Sequence, residues 1–200
     1  ISCYLCMLYS LSNNLSELNM SRLLILGGGI AGQTAALHAR RKLANNHEVV
    51  VVTPNSKWNW IPSNIWVGVG VMSVDQVTFP LEEIYKKSGI IYHQAKAISI
   101  HPEGDTNSSS PFVTIEYTKS GIEGTTEKLT YDYLINATGP KLKFEATKGL
   151  GPENNSLSVC TAGHAAQTST ALDEIVEAMK KGEKKKFLIG TGHGNCTCQG

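Results

Sequence analysis

Two kinds of chemistry stand out in this 200-residue chain: that of thiols and that of unpaired backbone amides. Of the five cysteines, Cys3, Cys6, Cys160, Cys196 and Cys198, three lie in the last 41 residues, a placement that suggests chemistry more than stapling. A thiol reacts through its thiolate, so a reactive one needs an electropositive setting or a nearby base. Cys196 and Cys198 have a Cys-x-Cys spacing a metal could use, but no paired cysteine or histidine cluster completes a site. The second chemistry belongs to Gly27-Gly28-Gly29-Ile30-Ala31-Gly32, a G-x-G-x-x-G run between a strand and a helix. In that context Gly27 permits a tight turn, Gly29 lets a pyrophosphate approach the backbone, and Gly32 lets the helix pack on the strand. The phosphates sit on free N–H groups at the positive end of the helix, among them those of Ile30 and Ala31. The plain alternative is a glycine-rich turn joining a core strand to a core helix.

The flanking elements supply the context. Leu23 to Leu26 reads as a buried parallel strand, and Gln33 to Leu43 carries a helical pattern. Glu48 to Thr53 is a second β-branched strand suited to burial on both faces. An acidic residue usually follows such a strand and takes the ribose hydroxyls. This chain offers Thr53, Pro54 and Asn55, and Thr53 or Asn55 would make a weaker, neutral hydrogen bond. All three tryptophans, Trp58, Trp60 and Trp66, lie within nine residues. They suit either a hydrophobic cap over the core or a wall for a ring-shaped ligand.

Phe79 to Gly89 reads as a short amphipathic helix with a glycine stop. Ile90 to Ile100 is a strand pair or one long strand, and it places Ala97 where backbone could run past an adenine. Phe112 to Thr118 alternates as a half-buried strand, and Glu127 to Thr130 returns, making an antiparallel meander. Tyr131 to Pro140 brings back a buried strand that ends in Ala137-Thr138-Gly139, small residues that let backbone approach a ligand. Residues 141 to 157 read as irregular. His164 to Lys181 is helical, with Leu172, Ile175, Val176 and Met179 on one face. Lys186 to Gly190 reads as a strand running into a second glycine turn, Gly190-Thr191-Gly192-His193-Gly194-Asn195, in which His193 is as readily a solvated loop residue as a functional one.

The formal net charge of +1 gives no long-range field for nucleic acid or an anionic membrane. No stretch approaches the roughly 18 consecutive apolar residues of a spanning helix. Residues 1–19 lack a basic segment and a cleavage site and fit a signal peptide poorly. Met20 stands directly before the first strand, so the native start is expected there and residues 1–19 are expected to be extraneous. The second glycine turn should lead into a helix, so the chain reads as an amino-terminal piece of a longer protein. The expected division is 1–19 as leader, 20–155 as the amino-terminal part of a nucleotide-binding domain, and 156–200 as the incomplete start of a second.

The order of these signatures resembles the two-dinucleotide-domain flavoproteins of the pyridine nucleotide-disulfide oxidoreductase superfamily. The resemblance implies an α/β fold: a Rossmann-like parallel sheet with an inserted antiparallel meander, then a second, truncated domain. It implies FAD in the first site, held by Gly27, Gly29, Ile30, Ala31, Gly32, Thr53, Asn55, Pro62, Ala97, Thr138 and Gly139. Ser158-Val159-Cys160 with His164, and Cys198-Gln199-Gly200, are similar to segments of the sulfide:quinone oxidoreductases. That likeness implies Cys198 as half of a redox disulfide, Cys160 as a second functional thiol, and His164 as base or proton relay. Cys160 and His164 share a helix face only if the helix begins at Cys160. The family's chemistry is the FAD-dependent oxidation of sulfide to sulfane sulfur, with electrons passed to quinone. It further implies peripheral membrane association, since quinones are lipid-soluble, and a homo-oligomer is compatible with it. Asn195 in the slot of a third glycine argues against NADH:quinone oxidoreduction. The remaining alternatives are the flavoprotein subunit of a flavocytochrome sulfide dehydrogenase and a non-catalytic nucleotide-binding module.

Overall fold

The structure, a computed structural model, describes residues 20–190. Cys3, Cys6, His193, Asn195, Cys196 and Cys198 lie outside the described residues. The chain divides into two compact units, one built from residues up to Trp58 and Pro80–Gly139, the other from Asn59–Phe79 and the residues from Pro140 onward.

The first unit is a six-stranded mixed sheet. Strand β1 (Arg22–Leu26) pairs in parallel with β2 (Glu48–Thr53) on one side and with β8 (Tyr133–Asn136) on the other. Helix α1 (Ile30–Lys42) makes the crossover from β1 to β2. Strand β5 (Ile91–His101) continues the parallel sheet through Ile91 to Gln94, alongside Val50 to Thr53. Its second half turns antiparallel to β6 (Phe112–Tyr117), which pairs with β7 (Thr126–Thr130). The change of partner coincides with a register shift between Ala97 and Ser99, the local kink of a β-bulge. Ile91–His101 is therefore one long strand.

Alternate residues of β1 and β2 feed two cores, as a period-two pattern requires of a strand buried on both faces. Ile25, Val49 and Val51 pack with Ala36 of α1 and with Leu81 and Tyr85 of α4 (Leu81–Ser88). Leu24, Leu26, Val50 and Val52 pack on the other face with Ala95, Val113, Ile115 and Leu129 of the meander. The unit is thus three layers: helices, parallel sheet, meander. Each fully buried aliphatic side chain in such a core contributes about 1.5–3 kcal/mol. Gly89 ends α4 in the left-handed conformation (φ 67°), as a helix stop does.

Strand β8 departs from expectation. It is short, and among the described residues it has β1 alone as a neighbour; Tyr133 is 66% and Ile135 37% exposed, and Leu134 packs against the meander-side core.

In the second unit, α2 (Asn64–Gly68) and α3 (Val74–Val77) pack with α5 (Ala162–Lys180) around Val67, Val77, Ala162 and Ala165. A β-carbon on Gly68 would lie 2.7 Å from Val159 Cγ1, which explains the glycine there. Asn64 is fully buried, and its amide is paired reciprocally with that of Asn59 at 2.9 and 3.0 Å. The strands β3 (Lys57–Asn59) and β4 (Thr78–Pro80) form a separate two-stranded ribbon. One expectation for this unit holds and one fails. The expected helix forms as α5, with Val176 and Met179 39% and 44% exposed and its buried positions, Ala162 and Ala165, at its start. Lys186 to Gly190 forms no strand; no neighbour in the described residues offers it a ladder, and Leu188 and Ile189 are almost wholly exposed.

Candidate nucleotide cradle and thiol segment

The carboxyl ends of β1, β2 and β8 converge on the glycine turn. Gly27 N–H donates to the Val52 carbonyl at 2.8 Å, and Ala137 N–H donates to the Leu26 carbonyl at 2.7 Å. Gly27 has φ +100°, and a β-carbon there would lie 2.2 Å from the Ala137 carbonyl oxygen. A β-carbon on Gly32 would lie 1.9 Å from the Gly27 carbonyl oxygen, so the helix backbone rides directly on the turn. Around Gly29, by contrast, a β-carbon would meet nothing within 4 Å.

Gly29 is also the N-cap of α1. No side chain caps it, and the first turn carries no acidic residue. Gln33 N–H donates to the Gly29 carbonyl at 2.9 Å, closing that turn. The N–H groups of Ile30, Ala31 and Gly32 precede the first helical hydrogen bond and have no acceptor within the helix. Open space over Gly29, unpaired N–H groups and the positive helix end fit an anionic pyrophosphate.

The other residues expected at this site are distributed around it unevenly. Thr53 closes β2 but is only 3% exposed, with its side chain against Gly28. Asn55 is exposed. Ala97 is exposed and lies past Gln94, the residue level with Thr53. Beyond β8, Asn136 Oδ1 accepts from Thr138 N–H at 3.3 Å and from Thr138 Oγ1 at 2.9 Å, and Gly139 takes φ +72° in open space. These exposed small residues leave the turn after β8 accessible.

The thiol segment lies in the second unit. Cys160 is exposed, and its N–H donates to Ser158 Oγ at 3.1 Å. Thr161 is the N-cap of α5, extended at φ −130° and ψ 157°, and its Oγ1 accepts from His164 N–H at 3.1 Å. The helix thus begins after Cys160, so the condition for placing Cys160 and His164 on one helical face is not met. His164 Nδ1 is buried and has no hydrogen-bond partner, and its ring meets the Phe144 ring edge-on at 5.9 Å. Pro62 lies exposed in a short 3-10 turn, Ile61–Ser63. Trp58 packs partly buried against the helix-side core of the first unit, whereas Trp60 and Trp66 are 41% and 48% exposed. Among the described residues no group of three His, Cys, Asp or Glu side chains could hold a metal, and no helix is long and apolar enough to cross a membrane.

A polar cluster in the first unit went unseen in the sequence. Tyr117 donates its hydroxyl hydrogen to Glu127 Oε2 at 2.5 Å, and His93 Nδ1 lies 2.7 Å from the same hydroxyl. The tyrosine has one hydrogen, so His93 Nδ1–H is the donor to it. Burial pushes the Tyr117 hydroxyl up to about 12, reinforced by its bond to Glu127. Burial also holds the His93 imidazole below its ordinary value; Glu127 opposes this and Arg22 adds to it. These residues are 10 and 24 positions apart along the chain, and only the meander's pairing brings them together.

With that geometry in view, known proteins give a consistent comparison. Residues 21–193 match the model of the family described as pyridine nucleotide-disulphide oxidoreductase. The chain is 33% identical over 151 residues to a sulfide-quinone reductase of Aquifex aeolicus, covering 76% of this chain and 31% of that protein. It is 26% identical over 178 residues to a mitochondrial sulfide:quinone oxidoreductase of Dictyostelium discoideum, covering 89% and 36%. The X-ray structure of the Aquifex aeolicus sulfide:quinone oxidoreductase superposes with a TM-score of 0.63 at 30% identity, covering 78% of this chain and 32% of that one. The chain thus spans about a third of the length of the relatives it matches. These relatives are FAD-binding flavoproteins.

Proposed function

Since this chain belongs to the pyridine nucleotide-disulphide oxidoreductase family, whose members bind FAD, we propose that its protein oxidises sulfide to sulfane sulfur and passes the electrons to a quinone. The observation that carries the reading is the cradle at Gly29: open space above an uncapped helix end, in a chain 33% identical to a sulfide-quinone reductase. The N–H groups of Ile30, Ala31 and Gly32 bind the pyrophosphate, while Gly27 and Gly32 let strand and helix approach closely enough to form its seat. Thr138 and Gly139, beyond β8, let the backbone come near the same ligand. Ala97, in the same unit, completes the set of contacts proposed for it. When bound, FAD supplies a two-electron relay between the sulfur donor and the acceptor.

The thiols do the sulfur chemistry in this proposal. Hydrosulfide attacks a disulfide to which Cys198 contributes one sulfur. A persulfide S–S bond forms, the cystine S–S bond breaks, and the other cysteine leaves as a thiolate. Cys160, exposed beside the start of α5, is the second functional thiol. His164 holds or moves a proton at Nδ1, which has no partner competing for it. Peripheral membrane attachment and self-association belong to the same proposal, the first because a quinone acceptor resides in lipid.

The test is an anaerobic titration of the purified full-length protein, followed at the oxidised flavin absorbance band. Bleaching by sulfide and not by NADH supports the proposal. Bleaching by NADH alone makes the protein an NADH dehydrogenase. Absence of a flavin band leaves a dinucleotide-fold module and overturns it.

A further inference from the structure

We propose that Thr168 is a positioning residue for the Cys160 thiol, its hydroxyl tying the segment before the thiol to the second turn of α5; this rests on the reading that Cys160 is a functional thiol. Cys160 stands one residue before the N-cap of α5 and is exposed. It lies outside the repeating hydrogen bonds of that helix, so other contacts must fix its place. The Thr168 hydroxyl donates to the Ser158 carbonyl at 2.9 Å, ten residues earlier and outside the helix. It lies 3.0 Å from the His164 carbonyl as well, the usual back-bond of a helical threonine to the residue four positions before it. One hydrogen is shared between the two carbonyls. The His164 carbonyl gains little from it, since the helix ladder already supplies the Thr168 N–H. The Ser158 carbonyl belongs to no helix or strand. Thr170, two residues further along the same helix, shows the ordinary case: among the described residues its hydroxyl makes the back-bond alone, to the Ala166 carbonyl at 3.2 Å.

The residues around the thiol are held from several sides. Cys160 N–H donates to Ser158 Oγ at 3.1 Å, so tying Ser158 down also ties the cysteine backbone. Val159 packs against the core of Val67, Val77, Ala162 and Ala165. It fits there because residue 68 is glycine: a β-carbon at that position would lie 2.7 Å from Val159 Cγ1 and 3.7 Å from Thr168 Cγ2. Thr168 thus has its methyl beside Gly68 and its hydroxyl on the thiol segment. On the far side of Cys160, Thr161 Oγ1 accepts the His164 N–H. Ser158, Val159 and Thr161 are each committed to contacts within the second unit, and Cys160 between them is exposed. A thiol attacks at a rate set by where its sulfur stands as well as by its protonation, and a displacement of about 1 Å from reacting geometry is costly. The Thr168 bond can be removed without altering a thiol, an imidazole or a packed methyl.

The experiment follows bleaching of the oxidised flavin band after anaerobic mixing of the full-length protein with sulfide, in a cycle of wild type, Thr168→Val, Cys160→Ser and the double variant. Thr168→Val keeps volume and methyl and removes the hydroxyl. It is expected to lower the limiting rate at saturating sulfide by roughly 2- to 10-fold, the range of one net neutral hydrogen bond, with the amount of bound flavin unchanged. Thr168→Ser, which keeps the hydroxyl, restores the rate, and Thr170→Val stays at the wild-type rate. In Cys160→Ser, adding Thr168→Val produces no further loss. Thr168→Ala takes the place of Thr168→Val in the cycle if the latter does not fold. Equal slowing by Thr168→Val in both backgrounds means a general structural role and overturns the inference, as does a wild-type rate in Thr168→Val. Should Cys160→Ser abolish bleaching, the rate of Cys160 alkylation by iodoacetamide, read by mass spectrometry of its peptide, replaces the cycle. Thr168→Val then changes that rate by at least about twofold and Thr168→Ser leaves it as in the wild type; equal rates in all three proteins overturn the inference. A wild-type bleaching rate in Cys160→Ser removes the functional-thiol reading and this inference with it, a result distinct from additivity in the cycle, which removes the inference alone.

Discussion

The Cγ2 methyl of Thr53 lies 2.8 Å from the place a β-carbon on Gly28 would occupy, so the middle glycine of the turn is dictated by a side chain from the neighbouring strand. Thr53 is buried, so its side chain does not simply swing into solvent. Gly28→Ala is therefore expected to destabilise by about 1–3 kcal/mol, the usual cost of overpacking. Thr53→Ser removes the methyl and is expected to recover part of that loss in the double variant. Urea denaturation of the four proteins of this cycle measures the coupling; additive effects would mean the two residues do not meet.

Gly32→Ala should be harsher. Its new methyl would sit 1.9 Å from the Gly27 carbonyl oxygen, which is backbone and cannot rotate away. Helix and strand must separate, and the N–H groups above the turn lose their common direction. Loss of about 3 kcal/mol in stability is expected, near the upper end for inserted methyl groups. FAD affinity should fall by at least tenfold under conditions where the variant remains folded. Fluorescence titration checks the second point independently of the first.

The His93 cluster sets a pH dependence whose sign is fixed. Burial depresses the His93 imidazole in the folded state, so the unfolded chain binds more protons. Stability is therefore expected to fall as pH drops through the ordinary histidine value of about 6.5, and to go on falling until the lower folded value is reached. Glu127, which favours the charged ring, moderates the effect and Arg22 reinforces it. Chemical denaturation between pH 5 and 8 should show a steeper slope for the wild type than for His93→Gln. Equal slopes would place the protonation elsewhere.

For the proposed chemistry, Cys198→Ser should abolish bleaching of the flavin band by sulfide while leaving the flavin bound. Cys160→Ser should slow it. Wild-type bleaching rates in Cys198→Ser would remove that residue from the mechanism, and an unchanged rate in Cys160→Ser would make its thiol a bystander.

The parallel half of the first unit was legible in the sequence because both its signals are local. A continuous β-branched run such as Glu48 to Thr53 can only be a doubly buried strand, and the glycines of the turn are required by contacts within a few residues or with adjacent strands. The exposure of β8 among the described residues was not legible. Tyr133-Leu134-Ile135 has the composition of a central strand, and among the described residues no second neighbour covers Tyr133 and Ile135. The Lys186 to Gly190 run fails for the related reason that β-propensity expresses pairing, not an intrinsic backbone choice. The start of α5 turned on a single cap: Thr161 accepts the His164 N–H and so ends the extended segment one residue beyond Cys160. The His93 cluster has no spacing that a local pattern could detect, since it depends on register across three strands.

The sequence separation that β8 must close also bears on the order in which the unit assembles. Strands β5, β6 and β7 follow one another through the connections 102–111 and 118–125, whereas the Arg22 N–H that meets the Asp132 carboxylate at the mouth of β8 does so across 110 residues. Loop-closure entropy rises with that separation and is repaid only when the contact forms. The meander should thus nucleate early and β8 dock late, after the rest of the sheet presents β1 to it. Substitutions at Ile115 would slow refolding, while substitutions at Leu134 would chiefly speed unfolding. The strand whose end helps frame the nucleotide cradle is, on this account, the last to arrive and the first to leave.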